Sequence, residues 1–332
     1  MYCCPNCFND SFLQSEIEAR SSLKGKCSFC SAGNVSLIEP IKLQDLFTPV
    51  LDIYEENENG RSLFKVIQED WNIFSLPEET QRKLLDNISQ LDTSLNRSPS
   101  LDKKKWDNFR EELKHENRFF VKNAPSITLI EHFAGYLGKP VKKGSIYLYR
   151  AKINLGDNPK NHIDIAKMGK PPLKKSTNGR ANPIGISYLY LASSPETAIS
   201  EIKGYKGEIV TVAKFKIKAD LMLADLRDPK TTITPFGLEN QELEDIYTNL
   251  PLMEMLGQEL TKPIIPREAH LEYLLSQYLS EMIKCINFHG IMYKGSVSNG
   301  DNLVLFDDDK VEAIKTQLYQ ITDIITKSSK FS

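Results

Sequence analysis

Four of the six cysteines form two Cys-x-x-Cys pairs near the start of the chain. The pairs are Cys4-Pro-Asn-Cys7 and Cys27-Ser-Phe-Cys30, with 19 residues between them. Two tight turns that each present two thiolates supply the four soft ligands of a tetrahedral zinc ion. The pattern therefore predicts a structural zinc ribbon over residues 1–40, with these four cysteines as metal ligands.

Two alternatives to this zinc site stay open from the sequence. Cys3 stands beside Cys4 and could replace it as a ligand, although the two-residue spacing to Cys7 favours Cys4. A redox-active Cys-x-x-Cys is the second alternative. The sixth cysteine, Cys285, stands alone in an apolar helical pattern and is expected to be a small core residue.

Composition and charge exclude several classes of protein. With 332 residues, 40% of them hydrophobic, the chain is long enough for one large domain or two to three smaller ones. A net charge of −2 gives no general attraction to nucleic acid or anionic membranes. No apolar run is long enough for a transmembrane helix, and the first residues do not resemble a secretory signal. We therefore expect a cytoplasmic protein without a membrane partner.

The pattern of apolar residues changes twice along the chain. Residues 41–140 carry apolar positions at helical spacing and predict a helical domain. Residues 141–332 alternate short runs rich in Ile, Val, Tyr and Leu with two long helical patterns. The tail from Val311 is amphipathic and could be a helix or a pair of short strands. The fold class predicted is α+β: a zinc ribbon, a helical bundle and a mixed α+β domain.

The stretch NGRANPIGISYLYLASSPETAISEI, residues 178–202, holds several candidate functional residues of the C-terminal domain. Arg180 lies in a turn, where a guanidinium can bind a phosphate or carboxylate in a bidentate manner, but an ordinary exposed arginine on a hairpin explains the residue equally simply. Tyr190 follows in a predicted strand. Ser194 and Pro195 predict a helix start. Glu201 lies past the first helical turn among apolar residues, where a carboxylate is a candidate for chemistry or an ordinary solvated position.

These residues resemble the RES domain, a family named for an arginine, a glutamate and a serine. The similarity rests on Gly179-Arg180-x-Asn182-Pro183-x-Gly185, Tyr190, Ser194-Pro195-Glu196-x-Ala198-x-x-Glu201, Gly290-Ile-Met-Tyr293-Lys-Gly-Ser296 and Asn302-Leu-Val-Leu-Phe306. The serine is Ser296 or Ser298, since Gly295 is inserted relative to the pattern. Tyr149-Arg150 is similar to the opening arginine of the family.

The resemblance implies a fold like that of ADP-ribosyltransferases and an enzyme that acts on NAD. It implies catalytic roles for Arg180, Tyr190, Glu201 and Ser296. In that role, Glu201 would stabilise the oxocarbenium-like transition state, and Tyr190 would stack on nicotinamide or orient the ribose. It also implies NAD-binding roles for Tyr149, Arg150, Asn182, Tyr293 and Asn302.

A second, shorter resemblance lies in the helical region. Arg110-Glu-Glu-Leu-Lys-His115 has the R-x4-H spacing of HEPN domains, many of which are RNases. An ordinary pair of surface residues on a charged helix explains the same letters. The resemblance implies an HEPN-like domain, in which RNase activity is a separate hypothesis.

Three functions follow as hypotheses. The first is an NAD glycohydrolase or phosphorylase that depletes NAD as a toxin or defence effector, with an antitoxin or immunity protein as partner. The second is an ADP-ribosyltransferase that modifies a macromolecule. The third is an HEPN-type RNase or binding module with an inert RES domain. A second copy of the chain, in a homo-oligomer, and nucleic acid stay open as binding partners. No glycine-rich dinucleotide-binding motif follows a predicted strand, so the sequence does not support a hydride-transfer enzyme.

Overall fold

A computed structural model of the chain describes residues 1–98, 104–155, 159–262, 264, 269–295, 297 and 299–324. The fold is mixed α+β, as the sequence predicts. The α-helices are α1 (Ser11–Arg20), α2 (Gln44–Asp52), α3 (Leu63–Trp71), α4 (Glu78–Ser89), α5 (Lys104–His115), α6 (Ile127–Leu137), α7 (Pro195–Glu201), α8 (Pro229–Thr232), α9 (Asn240–Thr261) and α10 (Ala269–Cys285).

The strands form two small hairpin sheets and one large sheet. They are β1 (Leu23–Gly25), β2 (Val35–Leu37), β3 (Glu55–Ser62), β4 (Asn96–Ser98), β5 (Gly138–Val141), β6 (Tyr147–Ile153), β7 (Leu189–Ala192), β8 (Ile209–Ile217), β9 (Leu221–Asp225), β10 (Gly290–Lys294), β11 (Asp301–Leu305) and β12 (Val311–Gln320). The large sheet has eight strands in the order β12-β8-β6-β7-β11-β10-β9-β5. Adjacent strands of this sheet are antiparallel, except that β9 and β10 are parallel.

The chain divides into two compact units. One unit is Met1–Lys104 with Pro229–Leu252, and the other is Lys105–Asp228 with Met253–Ser332. The second unit therefore holds α5 and α6 together with the whole large sheet. This division differs from the segments 1–40, 41–140 and 141–332 drawn from sequence, which stay a prediction.

The first unit has an aromatic core. The ring of Phe47 lies 6.5 Å from that of Phe8, 6.2 Å from that of Phe74 and 4.9 Å from that of Phe236. The hairpin β3–β4 interrupts the helices predicted for this region. Residues 55–59, Glu-Glu-Asn-Glu-Asn, are exposed, so no apolar face holds them in a helix.

Both faces of the large sheet of the second unit carry buried apolar residues. Successive residues of each strand point to opposite faces of the sheet. One face packs Leu148, Leu191, Phe215 and Leu303 into a buried cluster. The other packs Ala151, Ala192 and Val212 with apolar residues of α7. Along β6 and β8, residues two apart therefore belong to the same face.

The tail is neither of the two forms expected from the sequence, since Val311–Gln320 is one strand paired with β8. A register shift between Ala313 and Lys315 breaks the two-residue alternation. That bulge explains why the letters alone look partly helical. Within the described ranges, no helix combines the length and apolarity needed to cross a membrane.

Candidate functional site

The main candidate site is a pocket where two strands of the large sheet diverge. Strand β6 pairs with β8 from Tyr147 to Ile153, but it pairs with β7 only at Tyr149 and Ala192. The space beside that single pair has a volume of about 250 Å³. It is lined by Tyr149, Arg150, Ala151, Arg180, Tyr190, Leu191, Ala192, Ala198, Glu201, Ile202, Tyr293 and Asn302.

Glu201 is the last residue of α7, whose start matches the sequence prediction. The side chain of Ser194 accepts a hydrogen bond from the backbone N of Thr197 at 3.1 Å, with Pro195 at the first helical position. At the other end, Nδ2 of buried Asn302 donates to Oε1 of Glu201 at 2.7 Å. This bond orients the carboxylate at the pocket wall.

Arg180 is held by the helices behind its turn. Its guanidinium donates to the carbonyl O of Lys262 at 2.7 Å and lies 5.9 Å from the ring centroid of Tyr273. Its backbone carbonyl accepts a hydrogen bond from the hydroxyl of Ser276 at 2.6 Å. These contacts fix the backbone and the side chain of a residue that the sequence places only in a turn.

Tyr190 and Asn182 fold the turn around Arg180. The hydroxyl of Tyr190 donates to Oδ1 of Asn182 at 2.6 Å and accepts from the backbone N of Ala181 at 3.1 Å. A Cβ atom at Gly179 would lie 2.5 Å from that Oδ1, so the turn needs glycine there. Burial raises the pKa of Tyr190, which keeps its hydroxyl protonated as a donor. The hydroxyl therefore has a structural use.

Three further predicted residues lie at the same pocket. The guanidinium of Arg150 donates to the carbonyl O of Gly169 at 2.8 Å. Burial lowers the pKa of Arg150 to about 10, so it stays charged at neutral pH. Tyr293 is buried, and burial raises its pKa as well. Tyr149 is half-buried beside Arg150.

Two predicted residues are not among the described residues that line the pocket. Asn182 is buried, and its Nδ2 donates to the carbonyl O of Thr177 and of Ile186 within the turn. Ser296 and its alternative Ser298 both lie outside the described residues. Around them, the backbone N of Gly295 donates to the carbonyl O of Gly300 at 2.8 Å, closing the loop between β10 and β11. A Cβ atom at Gly300 would lie 2.0 Å from Oγ1 of Thr197, so the backbone of Gly300 packs against the start of α7. The role of the serine stays a prediction.

Two residues of α10 that the sequence analysis missed hold the turn in place. Nε2 of Gln277 donates to the carbonyl O of Gly179 at 2.7 Å and to that of Asn182 at 3.0 Å. Ser276 binds Arg180, and both α10 side chains are buried. The available signal was a Ser-Gln pair flanked by Leu274-Leu275 and Tyr278-Leu279, since a buried polar group needs partners.

Replacing Gln277 with leucine is expected to lower the free energy of unfolding by about 2 kcal/mol, because two carbonyls lose their donor. Urea unfolding measures the change. Gln258→Leu is the matched control, since Gln258 is an exposed helical residue. Equal stability of the Gln277 and Gln258 variants would contradict this positioning role.

The residues of the R-x4-H motif lie in separate surroundings. Arg110 is within 3.4 Å of the carboxylates of Glu259 and Glu272. His115 is largely exposed and lies 3.9 Å from the carboxylate of Glu111 on its own helix. These contacts describe a helix-packing cation and a surface histidine, and RNase activity stays a hypothesis without support from them.

Glu272 joins α5 to α10 through a cluster of cations. It contacts Lys114 and lies 3.0 Å from Nζ of Lys262, the residue whose carbonyl binds Arg180. The hydrogen bond from Lys114 lowers the pKa of Glu272 from 4.5 to about 2. A depressed carboxyl pKa contributes stability that is present above about pH 4.5 and lost as the pH falls towards 2.

Replacing Glu272 with glutamine is therefore expected to cost about 2 kcal/mol at pH 7, and less as the pH falls from about 5 to 2. Urea unfolding across this range tests the sign. Glu281→Gln, at an exposed position of the same helix, is the control. A pH-independent difference between wild type and the Glu272 variant would contradict the assignment.

The four predicted cysteine ligands lie together in the first unit, with all four Sγ atoms within 4.8 Å of one another. Sγ of Cys4 lies 3.9 Å from that of Cys7 and 3.4 Å from that of Cys30, and Sγ of Cys7 lies 3.4 Å from that of Cys27. Four sulfurs about 2.3 Å from a tetrahedral zinc ion would be about 3.8 Å apart. The cluster therefore fits zinc.

The remaining two cysteines, Cys3 and Cys285, do not belong to this cluster. Sγ of Cys3 is directed to the carbonyl O of Ile38 at 3.6 Å, which favours Cys4 as the ligand. Cys285 is exposed, so the expectation of a core residue was wrong. It is the last residue of α10 and lies beyond Ile283, the last buried residue of that helix.

The described residues form a mixed α+β domain in which two arginines, a glutamate and three tyrosines line one pocket beside diverging strands. The model of the RES domain family matches residues 148–325, which is more than half of the chain. The chain belongs to the RES domain family.

A search of curated proteins found no match. Among solved structures, a chain of the crystal structure of the M. tuberculosis MbcT–MbcA toxin–antitoxin complex is similar, at 15% identity and a TM-score of 0.33. The match covers 58% of this chain and 92% of that one.

Proposed function

We propose that this protein cleaves NAD at the bond between nicotinamide and ribose. The observation that carries the proposal is the meeting of Glu201, Arg180 and Arg150 with Tyr190 and Tyr293 at one pocket. These groups come from separate strands, a helix and a turn. They include a carboxylate, which can stabilise a positively charged ribose, and guanidinium groups, which can bind phosphate. Membership of the RES family supports the same substrate.

The chemistry assigned to Glu201 is electrostatic. As the C–N bond breaks, its electron pair leaves with nicotinamide, and positive charge develops on the ribose ring. A carboxylate held by Asn302 stabilises that charge without having to reorient during the step. Water then supplies the oxygen that joins the ribose and releases a proton, or inorganic phosphate takes its place.

The remaining residues bind and orient the substrate in this proposal. Arg150 carries five N–H donors, more than its bond to Gly169 uses, and can hold a phosphate. Tyr190 offers its ring, because its hydroxyl is engaged by the turn. Tyr293 forms part of the wall. A volume of about 250 Å³ is just below the usual range of roughly 300–1,000 Å³ for ligand pockets. The pocket therefore suits the nicotinamide–ribose end.

Unrestrained loss of NAD would harm the cell that makes such an enzyme. The proposed biological role is that of a toxin or defence effector, and it requires an inhibitory partner such as an antitoxin or immunity protein. Expression of the chain alone is expected to lower cellular NAD and arrest growth.

The direct test is mass spectrometry of NAD incubated with the purified protein. The expected products are nicotinamide with ADP-ribose or, in phosphate buffer, nicotinamide with an ADP-ribose phosphate. Label that becomes acid-insoluble would indicate transfer to a macromolecule instead. Unchanged NAD under all these conditions would contradict the proposal.

A further inference from the structure

One row of residues crosses the large sheet and continues beyond the pocket. Backbone register pairs its members one after another, and directly opposite residues share a face of a sheet. From β10 to β12 the row is Tyr293, Asn302, Ala192, Tyr149, Lys214 and Lys315. The first four residues line the pocket, and the last two, Lys214 and Lys315, continue the row beyond it.

The spacing of the row sets how far these lysines lie from the pocket. Neighbouring strands are about 4.8 Å apart, which places Lys214 and Lys315 roughly 5 and 10 Å from Tyr149. Nζ of Lys214 lies 3.5 Å from the ring centroid of Tyr147. That tyrosine is two residues from Tyr149 on β6, on the same face, and is 45% exposed. An aromatic ring and two cations thus lie next to the pocket.

The surroundings of this strip are open and mainly basic. Lys315 is exposed, and so is Lys216, which lies opposite Tyr147 in the next row. Glu312, opposite Lys216, is the carboxylate of that row. A lysine stacked on a tyrosine also occurs on inert surfaces. Here, however, Lys214 is paired directly with Tyr149, which lines the pocket, and that pocket is small for a whole dinucleotide.

We propose that Lys214, Lys315 and Tyr147 form a subsite for the ADP half of NAD. The ammonium groups hold the pyrophosphate, and the ring of Tyr147 packs against adenine. The inference rests on the proposed function, since it places the part of NAD that the pocket does not enclose. It assigns ligand binding to strands β8 and β12, which hold none of the residues implied by the family motifs.

Calorimetric titration of the full-length protein with ADP tests the subsite without any catalysis. Wild type is expected to bind ADP, and Lys214→Gln to bind it about tenfold more weakly, which corresponds to about 1.4 kcal/mol. Tyr147→Leu should weaken binding severalfold. Lys218→Gln is the control, because Lys218 is exposed and lies just past the end of β8. It should bind ADP as wild type does.

Turnover of NAD provides the second readout. Lys214→Gln is expected to raise KM for NAD about tenfold and to leave kcat within about twofold, because the reacting bond is elsewhere. No ADP binding by wild type, or equal binding by wild type and Lys214→Gln, would overturn the subsite. ADP binding lost in Lys214→Gln without any NAD turnover would contradict the proposed reaction and leave the subsite supported.

Discussion

Glu201→Gln is expected to lower the rate of NAD cleavage by roughly 10²–10³-fold with little change in stability. Glutamine has the same shape, and its carbonyl oxygen can still accept the hydrogen bond from Asn302. What it lacks is the negative charge that faces the developing oxocarbenium ion. The variant therefore separates electrostatic stabilisation from packing.

The measurement is the initial rate of nicotinamide release, with melting temperature recorded on the same samples. Glu196→Gln is the matched control, since Glu196 is an exposed carboxylate on the first turn of the same helix. It should retain the wild-type rate. A Glu201 variant as active as the Glu196 variant would remove Glu201 from the reaction.

Local sequence rules predicted the elements that carry this site. Sequence patterns predicted strands β6 and β7 and the helix start at Ser194–Pro195. Each of these features depends only on residues a few positions away. The same rules put Arg180 in a turn and Glu201 on a helix. They left open whether the two side chains would meet, and the structure places both at one pocket.

The remaining contacts depend on residues distant in sequence. Gln277 and Ser276 hold the Arg180 turn across 95 to 98 residues of chain. The split between β6 and β7 cannot be read from a local pattern either, since it concerns the pairing of Tyr149 with Ala192, which are far apart in sequence. The register that joins Tyr149 to Lys214 and Lys315 also requires the strand order.

Loss of the proposed zinc ion is expected to have the largest effect on stability. Structural zinc sites contribute apparent binding free energies of about 10–16 kcal/mol, comparable with the whole stability of a domain. The cysteine knuckle also joins its unit: the backbone N of Asn9 donates to the carbonyl O of Ile73 at 2.7 Å, and that of Ser75 to the carbonyl O of Cys7 at 3.0 Å. Cys7→Ser should therefore disturb residues well beyond the first forty.

The expected result for Cys7→Ser is loss of bound zinc by elemental analysis and a fall in melting temperature of at least about 10 °C. A chelator should produce the same fall in wild type. Cys285→Ser, at an exposed cysteine, should keep both zinc and melting temperature, and Cys3→Ser should keep zinc. One zinc per chain retained by the Cys7 variant, with an unchanged melting temperature, would show that Cys7 is not a required ligand. Zinc lost with Cys3 would transfer the ligand role from Cys4 to its neighbour.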